Sequence, residues 1–171
     1  LFSEHIEKYI PPNKGQKHIF RILREIYGHI PQGKQTNIGA AMDFIMKTNK
    51  KRSIVFVISD FIDETYHKPL LVARKKHDII PIMIEDPIEK KWQNFGRICF
   101  EDSETGQQHW LNTEKKEIRD KFQNIKLAKK NEITRFFSTI NCTAIHIDIT
   151  KSYIKPLQIF FEARMKQKPH H

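Results

Sequence analysis

Ser53-Ile54-Val55-Phe56-Val57-Ile58 runs straight into Ser59-Asp60. Six residues of this kind are too few for a stable helix, and the β-branched and aromatic side chains favour a strand. The run is apolar on both faces, which predicts a central parallel strand covered by helices on each side. A second run, Asp78 to Ile84, ends in Glu85-Asp86-Pro87. The segment between them, about His67 to His77, has helical periodicity, so the stretch reads as a βαβ unit.

Working outward from this unit, Asn13 through Ile30 carries Ile19, Ile22, Leu23, Ile26 and Tyr27 at helical spacing, with Asn13 as cap and Gly28 near the stop. Asn37 to Lys47 presents Ile38, Ala41, Met42 and Ile45 on one face. Both helices are expected to lie on the sheet. Upstream, Glu7 to Pro11 is expected as a short edge strand antiparallel to Leu1-Phe2-Ser3, because Pro11-Pro12 cannot donate ladder hydrogen bonds. Downstream, Arg97 to Glu101 and Gln108 to Leu111 suggest a hairpin joined across Ser103-Glu104-Thr105-Gly106. Glu114 to Ile140 places Ile118, Phe122, Ile125, Ile133, Phe136 and Ile140 along the seam of one long helix. Thr143 to Ile149 follows as a strand, and Ile154 to Met165 as a closing helix.

These elements predict one α/β domain over residues 1–171, with a mainly parallel sheet flanked by helices, an antiparallel edge strand and an inserted hairpin. Twelve Phe, four Tyr and two Trp give enough apolar surface to offset the entropy of ordering. Cys99 and Cys142 lack metal-type spacing, read as small buried residues, and fit a reducing, cytoplasmic compartment. The longest apolar runs are too short to span a bilayer, and no signal-peptide pattern opens the chain. Leu1 in first place, followed by what looks like the end of a strand, suggests further sequence upstream.

The formal charge of +10 raises nucleic-acid binding as an alternative function. Its basic residues, however, form small groups such as Lys50-Lys51-Arg52 and Arg74-Lys75-Lys76, without an aromatic stacking module, which favours a solvated surface.

In open α/β sheets ligands sit beyond the carboxyl ends of the strands, which singles out Ser59, Asp60, Asp63, Glu85, Asp86 and Asp148. Asp60 at the mouth of an apolar strand needs a cation, hydrogen bonds or water, or else caps the following helix. Asp63 and Glu64 read as first-turn residues that complement a helix dipole. Gly28 to Lys34 has glycine and lysine spacing close to a phosphate loop, but Gln35 replaces the required hydroxyl and a helix precedes it, so a helix stop and turn explain it. His77, His109 and His146 stand singly, as packing or surface residues. No nucleophile has a base beside it, and no enzyme is expected.

The order of elements, with Leu1-Phe2-Ser3, Tyr9-Ile10-Pro11-Pro12, Thr36-Asn37-Ile38, Ser53 to Asp63 and Asp86-Pro87, resembles the bacterial family called domain of unknown function 58. The likeness extends through His77-Asp78-Ile79-Ile80, Glu101-Asp102-Ser103-Glu104-Thr105-Gly106 and Pro156-Leu157-Gln158-Ile159-Phe160-Phe161, with Ser59-Asp60-Phe61 the sharpest match. The resemblance implies a von Willebrand factor A-like fold and a metal-ion-dependent adhesion site. In such a site magnesium is held by an Asp-x-Ser-x-Ser loop, a threonine and an aspartate. Thr36 and Asp60 fall on the last two positions, and the first loop would lie upstream of Leu1.

One hydroxyl and one carboxylate are a poor cage for an ion that prefers six oxygens, so magnesium belongs to the intact parent, with weak binding or none by residues 1–171. The implied function is protein binding, with a MoxR-type AAA+ ATPase as partner. A strand edge left open by the missing first strand is further expected to invite homo-oligomers.

Overall fold

The computed structural model describes residues 1–63, 65–87, 93–101 and 107–167. The chain divides into two compact units, one of 1–51 with 63–76 and one of 52–62 with 77–171.

The first unit opens with a tight loop in which Phe2 and Ile6 form an isolated antiparallel bridge. Glu7 and Lys8 both donate their backbone N–H to the Leu1 carbonyl. No strand follows over 7–11, contrary to the sequence expectation, because Glu7 turns inward to serve the loop at 32–33 and Pro11-Pro12 supplies no donors.

Helix α1 (Gln16–Gly28) starts at Gly15, not at Asn13, whose side chain accepts from the Lys14 amide instead. No residue of α1 is buried, so its apolar stripe does not do the packing predicted of it. Polar ties to the opening loop fix it in place: Lys8 Nζ lies 3.0 Å from Glu25, and His29 just past the helix meets Glu7. Helix α2 (Ile38–Thr48) begins where predicted, with the Asn37 side chain accepting from the Ala40 amide at 2.8 Å. It packs against α3 (His67–Lys76) through a core that includes Ile38, Met42, Tyr66 and Leu70.

The second unit is built on a three-stranded parallel sheet in the order β1-β2-β5, made of β1 (Ile54–Ser59), β2 (Asp78–Glu85) and β5 (Ile145–Asp148). Register pairs Ile54 with Asp78 and Ser59 with Met83, then Ile82 with Ile145 and Glu85 with Asp148. The central strand is β2, whose Ile79 to Met83 are all buried. Strand β1 lies at the edge. Its Val55 and Val57 are buried while Ile54, Phe56 and Ile58 are 61%, 46% and 60% exposed, with Phe161 edge-on to Phe56, so one face is only partly covered and the prediction of a doubly covered central strand fails.

Strands β3 (Arg97–Glu101) and β4 (Gln108–Asn112) form the expected hairpin, with its turn outside the described residues. Thr113 clamps the hairpin base by donating to the Gly96 carbonyl and accepting from the Phe95 amide. Cys99 on this hairpin is exposed, contrary to expectation, whereas Cys142 is buried.

Helix α4 (Lys116–Thr139) buries Ile133 and Phe137, with Ile140 just beyond its end, and leaves Ile125 exposed. The buried seam is therefore shorter than predicted and passes through Phe137 instead of Phe136. Helix α5 (Ile154–Gln167) covers the far side of the sheet, where Phe160 and Leu157 join Ile80, Ile82 and Ile145. Arg164 pairs with Asp78 at the start of β2 and lies over the Phe160 ring.

Candidate functional site

Parallel strands bring their carboxyl ends to one rim, here Ser59-Asp60 after β1, Glu85-Asp86 after β2 and Asp148 at the end of β5. A cavity of about 320 Å³ opens at this rim, and its lining includes Asp60, Glu85, Asp86, Lys126, Lys130 and Ile133. Charged and apolar side chains share this lining, which suits a ligand that carries both charge and apolar surface.

Asp60 owes its position to an unusual turn. Phe61 adopts φ 59°, a left-handed conformation that costs an aromatic residue energy. Burial compensates for it, since Phe61 is fully enclosed and meets Phe137 edge-on at a centroid distance of 5.1 Å. The Ser59 hydroxyl accepts from the Phe61 amide at 3.1 Å, and Asp60 Oδ1 accepts from the Ile62 amide at 3.3 Å. Asp60 is exposed and closes its own turn; it does not cap α3, which begins only at His67.

The other acidic candidates divide by their partners. Glu85 accepts from Lys130 at 2.7 Å and lies 2.8 Å from His146 Nδ1, an ion pair that joins α4 and β5 to β2. Asp148 takes the amide and hydroxyl of Thr150 and so shapes its own turn. His109 is exposed on β4, and His77 is buried.

In the first unit Thr36 is exposed and directly precedes the Asn37 cap. Asp63, expected to serve the helix that follows it, serves α2 instead. Its Oδ2 accepts from the Ile38 amide at 2.7 Å and from the Thr65 hydroxyl at 2.6 Å, while Oδ1 accepts from the Thr65 amide at 2.8 Å. Thr65 Oγ1 also donates to Asn37 Oδ1. The opening turn of α2 is thus held by a three-residue network in which a remote carboxylate complements the helix dipole. Gly39 packs closely there: an added Cβ would lie 3.0 Å from the Thr65 carbonyl, a tight contact. Glu64 lies outside the described residues.

A second hub escaped sequence reasoning. The Glu7 carboxylate collects the Gln32 and Gly33 amides at 3.0 Å each, together with the Ser3 hydroxyl and the His29 ring. These donors, the Gly33 amide foremost, pull its pKa from an ordinary 4.5 down to about 2. Gly33, part of the phosphate-loop near-miss, is a packing glycine, since a Cβ there would collide with Ser3.

The sign of this shift fixes a prediction. Lowered in the folded state, the Glu7 carboxylate stabilises the loop fully above pH 4.5, and that contribution is lost as pH falls from 4.5 toward 2. Hydrogen exchange at the Gln32 and Gly33 amides should accelerate across that window beyond the intrinsic pH trend, and Glu7→Gln should remove the acid dependence.

A parallel three-stranded sheet with a carboxylate rim and a separate antiparallel pair define a mixed α/β protein. The chain belongs to the family described as protein of unknown function DUF58, whose model matches residues 1–132. It is similar to uncharacterized protein MAV169 of Mycobacterium avium, 21% identical over 160 residues that cover 92% of this chain and 94% of that protein. It is also 20% identical over 160 residues to uncharacterized proteins Mb1516 of Mycobacterium bovis and Rv1480 of Mycobacterium tuberculosis, covering 92% of this chain and 50% of each. The chain spans about half the length of those two relatives. No solved structure matches it. No helix among the described residues is long and apolar enough to cross a membrane.

Proposed function

We propose that the chain is part of a von Willebrand factor A-like module that binds a partner protein, a MoxR-type AAA+ ATPase in the cytoplasm, and that it binds without catalysing a reaction. The observation that supports this reading is the placement of Asp60. It stands exposed at the carboxyl end of a parallel strand, presented by a turn whose next residue is locked in the core, and it borders a cavity with mixed charge.

In this reading Thr36 and Asp60 are ligands of a magnesium ion. Their donors fit by type, since a hydroxyl and a carboxylate are the hard oxygen ligands that magnesium prefers. They do not fit by number, because two oxygens leave most of the octahedral shell to be filled by water, by other residues of the natural full-length protein or by the partner. Bound magnesium would supply a Lewis-acidic anchor for a partner carboxylate. Asp60 would hold the ion at the rim, beside the cavity it lines.

Biolayer interferometry of the natural full-length protein against the MoxR-type ATPase of the same organism tests this. Binding should weaken at least tenfold, about 1.4 kcal/mol, on chelation of magnesium and equally in Asp60→Ala. Unchanged affinity in Asp60→Ala rejects the assignment.

A further inference from the structure

Two basic groups that lie apart in sequence meet in the first unit. Helices α2 and α3 run side by side in the same direction, because Thr65 bonds Asn37 at their starts and Lys76 Nζ donates to the Asn49 carbonyl at their ends, at 2.7 Å. Their last turns hold Lys47 on α2 and Arg74, Lys75 and Lys76 on α3, and Lys50 and Lys51 follow α2 directly. Six cations therefore gather at one end of the helix pair. All but Lys76 are exposed, and among the described residues Lys47, Lys50, Lys75 and Lys76 make no ion pair.

Compensation of the helix dipoles does not account for so many. Each helix end carries roughly half a negative charge, so two parallel ends call for about one cation. Asp43 is the sole acid of α2, and α3 has none. This end of the pair keeps a large positive surplus.

The surplus lies next to exposed apolar surface. On α3 Lys68, Leu71, Val72 and Lys75 share one face at helical spacing, while Leu70 and Ala73 turn inward. Leu71 and Val72 are 42% and 54% exposed.

We propose that this end of the α2–α3 pair binds the surface of an anionic lipid bilayer. The lysines and Arg74 meet phosphate headgroups, and Leu71 and Val72 enter the boundary between headgroups and acyl chains. A nucleic acid would answer the charge equally. Its phosphate backbone gains nothing from a Leu-Val pair, however, and this face of α3 has no aromatic ring on which a base would stack. The contact is peripheral and reversible, because no helix among the described residues can cross a bilayer and only two apolar side chains insert. None of these residues belongs to the magnesium site proposed above, so either reading can fail without the other.

Co-sedimentation of the 171-residue chain with vesicles containing phosphatidylglycerol, in EDTA, tests the proposal. The wild type should pellet with these vesicles, release as salt is raised, and ignore vesicles of phosphatidylcholine alone. Each cation near an anionic surface strengthens partitioning about fivefold, so Lys50→Gln/Lys75→Gln should weaken binding about twentyfold. Lys121→Gln/Lys155→Gln removes the same charge from exposed positions elsewhere on the chain and should stay within about threefold of wild type. Leu71→Gln/Val72→Gln should weaken vesicle binding about fivefold or more without changing retention on duplex DNA. A wild type that does not pellet with anionic vesicles overturns the proposal. Equal losses in the two lysine pairs would also overturn it, since they would mean diffuse attraction without a patch. So would tighter binding to duplex DNA than to vesicles at equal phosphate, which would assign the patch to nucleic acid.

Discussion

Phe137→Ala should lower the unfolding free energy of the second unit by about 3–5 kcal/mol, the range for emptying a large aromatic site in a packed core. Phe137 is buried on α4 and supports Phe61 edge-on. Phe61 holds a left-handed backbone whose cost its enclosure offsets. Removing the supporting ring opens a cavity and also withdraws the contact that offsets this strain, an aromatic pair worth about 0.5–1.5 kcal/mol by itself. Because the same turn presents Asp60, the substitution should also broaden the amide resonances of Asp60 and Ile62. Urea unfolding followed by tryptophan fluorescence and circular dichroism gives the stability change. A loss below about 1 kcal/mol would mean that the turn is not held by this pair.

The second large effect is expected at Asp63. Asp63→Ala leaves the Ile38 and Thr65 amides without their side-chain acceptor, limits the Thr65 hydroxyl to Asn37, and removes a negative charge from the positive end of α2. Losing a capping carboxylate costs about 0.5–2 kcal/mol, and stranded donors bring the expectation to the upper part of that range. Asp63→Asn keeps an acceptor oxygen and should recover about half. Hydrogen exchange localises the effect: Ile38, Gly39 and Ala40 should lose protection first, while the sheet of the second unit stays protected.

Local signals in the sequence led to local structure. Asn37 before an apolar run marked the start of α2, the apolar stretch from Asp78 marked β2, and the turn-rich segment after Glu101 marked the hairpin between β3 and β4. What escaped depends on neighbours remote in sequence. The five apolar residues of β1 look the same whether helices cover both faces or one, so its position at the sheet edge was not readable from composition. Along the 24 residues of α4 only part of one face is buried, which leaves Ile125 in solvent and Phe137 inside.

The carboxylates show the same division. Asp63 follows β1 closely but serves a helix start 25 positions earlier, and Glu7 binds amides 25 and 26 positions later. Nothing in the spacing of either residue announces its partners. Asp60 was readable as an exposed acid at a strand mouth, because that depends only on where an apolar run stops. The pocket beside it was not, since Lys126 and Lys130 reach the rim from a helix more than 60 residues downstream.

The central proposal is that Thr36 and Asp60 are ligands of one divalent cation. Manganese, an electron-paramagnetic stand-in for magnesium, can be titrated into the natural full-length protein and into its Thr36→Ala and Asp60→Ala variants. A single site in the wild type that each substitution weakens at least tenfold is the predicted result. Full manganese affinity in either variant would contradict the claim.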